Sequence, residues 1–139
     1  KKDYVLLNEE IAFVEKYLEY YTFRNERLAI AKNYEGSFDA IEIPPLFFLP
    51  LFENAIKFSG ETEAPFIVAD LKLKCKSLSF TLKNNFLNTG SRLSSTGIGI
   101  ENLKRRLEVY GLKHELICKK ESEIFVIKLK IWNLPTAAL

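Results

Sequence analysis

Two segments about forty residues apart constrain this chain of 139 residues more than any other part of it. The first runs from Ile43 to Lys57 and ends in Glu-Asn-Ala-Ile-Lys. The second runs from Thr96 to Leu107 and begins Thr-Gly-Ile-Gly-Ile. One offers a carboxylate, an amide and an ammonium on an otherwise apolar helix, and the other offers a glycine turn that opens into a helix. Together they are the parts needed to hold a magnesium nucleotide.

The remaining pattern predicts helices layered on one face of a mixed, mostly antiparallel sheet, which is an α/β (α+β) two-layer sandwich. Asn8 is the expected N-cap of the first helix. Pro50 fits only the first turn of a helix and Gly60 stops it, so these two residues bound the second helix. Helices are predicted at 9–25, 50–58 and 98–110, and strands at 27–34, 40–43, 65–74, 78–83, 114–119 and 123–132.

The polar side chains of the second helix leave two interpretations open. Glu53, Asn54 and Lys57 fall within one arc at about 100° per residue. Glu53 and Lys57 could form an ordinary i,i+4 surface pair worth a few tenths of a kcal/mol. Alternatively, Asn54 offers a neutral oxygen to Mg²⁺, Lys57 contacts a phosphate, and Glu53 acts as a base or orients water.

The glycine segment has the same two-sided character. A helix N-terminus presents unpaired N–H groups and positive partial charge, and Gly97 and Gly99 would let the backbone approach a phosphate closely. Thr96 opens this turn, and Arg106 could turn from the following helix toward a phosphate. An ordinary loop-to-helix turn would have the same sequence. The preceding stretch, 84–96, has neither helical nor strand period, and loops of such length are usually functional or mobile.

Composition excludes several classes of function. The net charge of +2 gives no polyanion-binding signal, and the alternation of Lys72, Lys74 and Lys76 is typical of a solvated strand face rather than a nucleic-acid surface. No apolar run is long enough to span a membrane, and no signal peptide is present. Cys75 and Cys118 match no metal-ligand spacing, so we expect buried free thiols in a reducing cytosol. The absence of methionine and the Lys1-Lys2 start suggest a piece of a longer protein.

With these residues in place, the chain resembles the ATP-binding domain of LytS/YehU-type sensor histidine kinases over nearly its whole length. Glu53-Asn-Ala-Ile-Lys57 resembles the N box of that family, and Gly97 to Leu107 resembles its glycine-rich G box. Leu7 to Leu18 with Arg24 looks like the family's junction to the dimerisation helices. The resemblance implies the GHKL (Bergerat) fold, with residues 1–25 as junction helix and 26–139 as catalytic domain.

The resemblance also implies roles for residues and partners. Asn54 would bind Mg²⁺, Asn84 would stand where the family's adenine-reading aspartate lies, and 86–96 would form the ATP lid. Thr96, Gly97, Gly99, Asn102 and Arg106 complete the expected nucleotide-contacting set with Lys57. The γ-phosphoryl group of ATP would pass to a histidine on an upstream dimerisation helix, and His114 would not replace that histidine. The expected partners are a homodimeric phosphoacceptor domain and a response regulator, with no nucleic acid or membrane contact by this cytoplasmic part of a membrane-anchored protein.

Two other functions remain open at this point. A degenerate, non-catalytic interaction domain would explain why Leu49, Phe58 and Asn84 stand where the family often has glutamine, histidine and aspartate. An ATPase of the same fold that uses water as its nucleophile is a third possibility.

Overall fold

The structure, a computed structural model, describes residues 3–87 and 93–137, and of residues 93–98 it describes the backbone only. Within these ranges helices and strands follow one another in an α+β arrangement. The elements are β1 (Val5–Leu6), α1 (Leu7–Arg24), β2 (Ala29–Glu35), β3 (Glu42–Ile43), α2 (Leu49–Ser59), β4 (Phe66–Lys74), β5 (Ser77–Asn85), α3 (Leu93–Val109), β6 (His114–Glu121) and β7 (Ile124–Ile131).

The main sheet has five strands in the order β2-β4-β5-β7-β6. β2 runs parallel to β4, whereas the β4–β5, β5–β7 and β6–β7 pairs are antiparallel. A separate antiparallel pair joins β1 to β3, with Val5 opposite Ile43. The predicted mixed, mostly antiparallel sheet is confirmed. The strand β1 was not predicted, because two residues carry no period that a sequence could reveal.

One face of this sheet is buried and the other faces solvent, because successive side chains of a strand point to opposite sides. The buried positions of β5 and β7 are Leu78, Phe80, Leu82, Asn84, Phe125, Ile127, Leu129 and Ile131. The Phe80 ring contacts the rings of Phe48 and Phe52, with centroids 4.8 and 6.0 Å apart. This aromatic cluster packs the start of α2 onto β5, and truncating such a ring costs about 3–5 kcal/mol.

The start of α1 differs from its prediction. The helix begins at Leu7 with Leu6 as its N-cap residue, so Asn8 lies inside the first turn. The Leu7 N–H donates to the Ile41 carbonyl at 2.8 Å, which ties the helix start to the chain just before β3. Asn8 Nδ2 instead donates to Asp39 Oδ1 at 3.2 Å. Long-range backbone pairing therefore sets this helix start, rather than a side-chain cap.

The start of α3 also differs. The helix begins at Leu93, so Gly97 and Gly99 lie inside it and not in a turn before it. Glycine inside a helix costs only about 1 kcal/mol relative to alanine, and no proline precedes Gly97 to stop the helix earlier. The irregular stretch predicted at 84–96 is correspondingly shorter. Part of the predicted lid, residues 88–92, lies outside the described residues.

The exposed surface departs from prediction at the cysteines. Cys75 and Cys118 are free, as expected, but both are exposed. Cys75 lies in the turn between β4 and β5 with a φ of +57°, and Cys118 lies on the edge strand β6, which has a neighbouring strand on one side only. Among the described helices, none has the length and apolar character needed to cross a membrane.

Candidate functional site

α2 presents the predicted polar side chains on its outer side. Glu53 and Lys57 are exposed, and Asn54 is partly buried. The buried residues of the same helix are Leu51, Phe52, Ala55, Phe58 and Ser59. Lys57 Nζ lies 5.6 Å from the centroid of the Phe58 ring, at the last turn of the helix. The arrangement keeps a carboxylate, an amide and an ammonium accessible on a helix whose other face is fixed in the core.

α3 approaches α2 closely at Asn54. A Cβ atom added at Gly99 would lie 3.1 Å from Asn54 Nδ2, which is inside the optimal carbon contact distance of about 3.5–4.0 Å. The missing side chain at Gly99 is therefore what allows the backbone of α3 to lie against this amide. The two sequence segments that most constrained the fold meet at this point.

The end of β5 carries two neighbouring asparagines with different environments. Asn84 is 4% exposed on the helix-covered face, and its Nδ2 donates to the Asn85 carbonyl at 2.9 Å. Asn85 Oδ1 accepts the Phe66 N–H at 3.0 Å, and its Nδ2 donates to Thr62 Oγ1 at 3.1 Å and the Ala64 carbonyl at 2.9 Å. Asn85 thus ties β5 to the segment before β4, while Asn84 faces the helical layer.

Side chains from α1 and α3 hold residues 44–48, which we call the entry segment because they lead into α2. Glu10 is 4% exposed, and its Oε1 and Oε2 accept the N–H groups of Leu46 and Phe48, each at 3.1 Å. From the other side, Arg106 Nη2 donates to the Pro45 carbonyl at 2.8 Å and Nη1 to the Leu46 carbonyl at 3.3 Å. The guanidinium predicted to turn toward a phosphate is bonded here to backbone oxygens.

Glu10 had no role in the sequence prediction, although a signal for it exists. It lies at helical spacing between Leu7 and Val14, both buried, and so occupies the apolar stripe of α1. A carboxylate on such a stripe requires a buried partner. The sequence could therefore have marked Glu10 as bonded, but it could not have named the entry segment as its partner.

The charge of a carboxylate on α2 acts on a tyrosine of α1. Burial raises the pKa of the Tyr17 hydroxyl, and a hydrogen bond with Tyr21 and the negative charge of Glu53 raise it further. The Tyr17 and Tyr21 rings are 4.8 Å apart. The Glu53 carboxylate therefore lies close enough to Tyr17 for its charge to act on that hydroxyl.

The structure places the other predicted residues as follows, as far as it describes them. Asn102 is exposed on α3, the side chain of Thr96 lies outside the description, and Gly97 is placed only by its backbone in α3. His114 Nδ1 lies 2.7 Å from the Leu112 carbonyl at the edge of the sheet. Among the described residues, no cluster of three or more His, Cys, Asp or Glu side chains could hold a metal ion. Mg²⁺ usually keeps waters and phosphate oxygens as most of its ligands, so it does not need such a cluster of side chains. The partly exposed amide of Asn54 fits this mode of binding.

Comparison with known proteins gives a sequence relative and many structural ones. No protein-family model matches the chain. Sensor histidine kinase YesM of Bacillus subtilis (strain 168) is 33% identical in an alignment of 125 positions that covers 81% of this chain and 22% of YesM. The chain thus spans about a fifth of the length of this relative.

The fold is that of histidine kinase catalytic domains. The nucleotide-free catalytic domain of histidine kinase ThkA superposes with a TM-score of 0.67 at 16% identity, over 100% of this chain and 99% of that domain. Full-length ShkA in complex with AMPPNP gives 0.68 at 15% identity, over 100% of this chain and 33% of ShkA. ThkA in complex with the response regulator TrrA gives 0.63 at 14% identity, over 96% of this chain and 42% of that one.

Proposed function

We propose that this chain is the ATP-binding catalytic domain of a sensor histidine kinase of the LytS/YehU type. It would deliver the γ-phosphoryl group of ATP to a histidine on a dimerisation helix outside residues 1–139. The observation that carries the proposal is the contact between Asn54 and Gly99, because it joins the N-box-like and G-box-like segments at one place. The fold and the relationship to YesM support the same function.

The residues divide the work by chemistry. Asn54 would offer its side-chain oxygen to Mg²⁺, and Lys57 would give a phosphate a positive charge. The backbone at Gly97 and Gly99 would lie along the phosphates, with Thr96 and Asn102 nearby on α3. Mg²⁺, when bound, would neutralise negative charge on the phosphates of ATP. Phosphoryl transfer depends chiefly on such positioning and charge neutralisation, so Glu53 needs only to orient the approaching nucleophile.

Asn84 would form the adenine side of the site. Its side-chain oxygen can accept a hydrogen bond from the adenine amino group, although a neutral acceptor binds more weakly than a carboxylate. The burial of Asn84 on the face that packs against the helices supports this role. The difference would lower affinity by up to about tenfold relative to an aspartate at this position.

The proposal extends to partners. Residues 1–25 would be the junction to a homodimeric phosphoacceptor domain, 26–139 the catalytic domain, and a response regulator the acceptor downstream. The ThkA complex with TrrA gives a precedent for the response regulator on the same fold. The domain would lie in the cytoplasm, in a protein anchored in the inner membrane.

A non-catalytic interaction domain is the second candidate. One observation favours it, namely that the guanidinium of Arg106, which was predicted to contact nucleotide, donates its hydrogen bonds within the protein. The two candidates differ in whether the chain binds ATP.

Calorimetric titration with ATP, with and without Mg²⁺, tests the proposal. We expect wild type to bind ATP more tightly with Mg²⁺, and Asn54→Ala to lower affinity in Mg²⁺ by at least about tenfold, or 1.4 kcal/mol. Asn33→Ala, at an exposed asparagine on β2, should bind as wild type does. No binding at millimolar ATP would favour the interaction domain. Binding that neither Mg²⁺ nor Asn54→Ala changes would contradict the metal role.

A further inference from the structure

The carboxylate of Glu10, on α1, binds backbone N–H groups at the start of another helix, α2. The N-cap residue of α2, Phe48, has no side-chain hydrogen bond to the helix start. Glu10 on α1 instead accepts from the chain just before the helix, because its two oxygens bind the N–H groups of Leu46 and of the N-cap residue Phe48. A negative charge there also matches the positive end of the α2 dipole. The start of α2 is thus bonded to α1.

The backbone of Leu46 is held on both sides. Its φ is +53°, in the left-handed region that residues with a side chain seldom adopt. The side chain is 54% exposed, so burial of Leu46 does not enforce this conformation. The hydrogen bonds do, because the Leu46 N–H donates to Glu10 and the Leu46 carbonyl accepts from Arg106. A strained residue persists only where its surroundings determine it in this way.

One face of α3 contacts both α2 and the entry segment. Gly99 and Arg106 lie seven positions apart, which is about two helical turns, so they share a side of the helix. Gly99 lies against Asn54, and Arg106 bonds the carbonyls of Pro45 and Leu46. A change in the entry segment therefore changes how Asn54 meets the backbone of α3.

We propose that Glu10 and Arg106 are positioning residues for the nucleotide site. They clamp the entry segment between α1 and α3, and so fix Asn54 and Lys57 relative to Gly99. This role rests on the proposed function for its effect on nucleotide, whereas the clamp itself is a property of the chain without ligand. It makes Arg106 a brace of the backbone rather than a phosphate ligand, and it makes α1 a part of the site's framework.

Conservative variants test this without removing packing. Glu10→Gln keeps the shape but turns an NH₂ group toward one backbone N–H. Arg106→Lys keeps the charge but cannot reach two carbonyls with a planar fork. The matched controls are the exposed neighbours, Glu9→Gln and Arg105→Lys.

Amide hydrogen exchange of the ligand-free chain reads the clamp directly. We expect exchange at Leu46 and Phe48 to accelerate about tenfold in Glu10→Gln, because one of the two hydrogen bonds is lost and the other is no longer charge-assisted. Arg106→Lys should accelerate exchange at these amides by a smaller factor. Glu9→Gln and Arg105→Lys should leave both amides unchanged. Unchanged exchange in Glu10→Gln would overturn the clamp, whatever the chain binds.

Titration with ATP, ADP and adenosine, each with and without Mg²⁺, reads the positioning. We expect both variants to lose about three- to tenfold in ATP affinity with Mg²⁺ and little without it. A residue that only stabilised the fold would leave this Mg²⁺ dependence intact in the folded chain. In an Asn54→Ala background, Glu10→Gln should have no further effect on the Mg²⁺ dependence.

The outcomes separate the two proposals. If wild type binds no nucleotide, the proposed function fails, while accelerated exchange would still support the clamp. If wild type binds and both variants keep the wild-type Mg²⁺ dependence, the positioning role alone is overturned. In a third outcome, Arg106→Lys leaves exchange unchanged but lowers affinity most for ATP, less for ADP and least for adenosine. Arg106 is then a phosphate ligand, and its role as a brace is wrong.

Discussion

The start of α2 and the end of β5 use polar groups in opposite ways. Along α2 the side chains of Glu53 and Lys57 are exposed, and residues of other helices hold the entry segment that leads into this helix. At the end of β5 the side chains of Asn84 and Asn85 themselves bond the backbone. The comparison indicates that polar groups on α2 are available to a ligand because others fix the fold there. Substitutions should therefore act mainly on binding in the first region and mainly on stability at Asn85, whereas Asn84, which is proposed to contact adenine, should affect both.

Asn85→Ala should give the largest effect and tests the β5 side. The variant loses three hydrogen bonds and leaves the Phe66 N–H without its acceptor, so we expect the free energy of unfolding to fall by about 2–3 kcal/mol. The ATP affinity of the folded variant should stay within about twofold of the wild-type value, because the lost hydrogen bonds stabilise the fold. Urea denaturation followed by titration measures both. Weaker binding at unchanged stability would reverse the roles of the two asparagines.

Asn84→Asp should raise the affinity for ATP and lower the free energy of unfolding. A charged acceptor would raise ATP affinity up to about tenfold and increase the preference for ATP over GTP. Burial of a carboxylate at a position 4% exposed should lower the free energy of unfolding by about 1–3 kcal/mol. Competition between ATP and GTP, together with urea denaturation, measures the pair. An equal gain for GTP would show that Asn84 does not contact the base.

Gly99→Ala should give the smallest effect and tests the α2 side. The new methyl group would press on Asn54 Nδ2, so we expect ATP affinity with Mg²⁺ to fall only a few-fold, because the amide can shift by a few tenths of an ångström. Stability should rise by up to about 1 kcal/mol, because alanine favours the helix.

Gly111→Ala is the matched control. At Gly111 a Cβ would meet nothing within 4 Å, but φ is +67°, so the change should lower stability and leave binding intact. Weaker ATP binding in both variants would show that the effect of Gly99→Ala does not arise from the contact between Gly99 and Asn54.

Local patterns predicted the framework well. Pro50 and Gly60 bounded α2 within one residue of its observed limits at Leu49 and Ser59. The alternation of apolar and polar residues along β7 identified its buried side chains, because one face of each strand is exposed to solvent. The polar arc of α2 was equally visible, since helical spacing alone brings Glu53 and Lys57 to one side.

Long-range bonds were beyond the sequence. Glu10 and Arg106 lie 36 and 60 residues from Leu46, and no local period encodes such pairings. The contact of Arg106 with a phosphate stays a prediction, but its bonds to the Pro45 and Leu46 carbonyls were not foreseen, because the position of a cation on a helix does not reveal which group it contacts. The start of α3 was missed for a related reason, since glycine permits both a turn and a helix and does not choose between them.

The parallel pairing of β2 with β4 has a consequence for how the molecule folds. Ala29 lies opposite Phe66, so the chain must close a loop of nearly forty residues before this pair forms, whereas β4 and β5 are joined by a tight turn. Closing long loops delays folding, so we expect β2 to join the sheet after β4 and β5 have paired. α2 lies within that crossover. We therefore expect the helix that carries Asn54 to be placed during a late step, and the same connection that builds the site must close before the five-stranded sheet is complete.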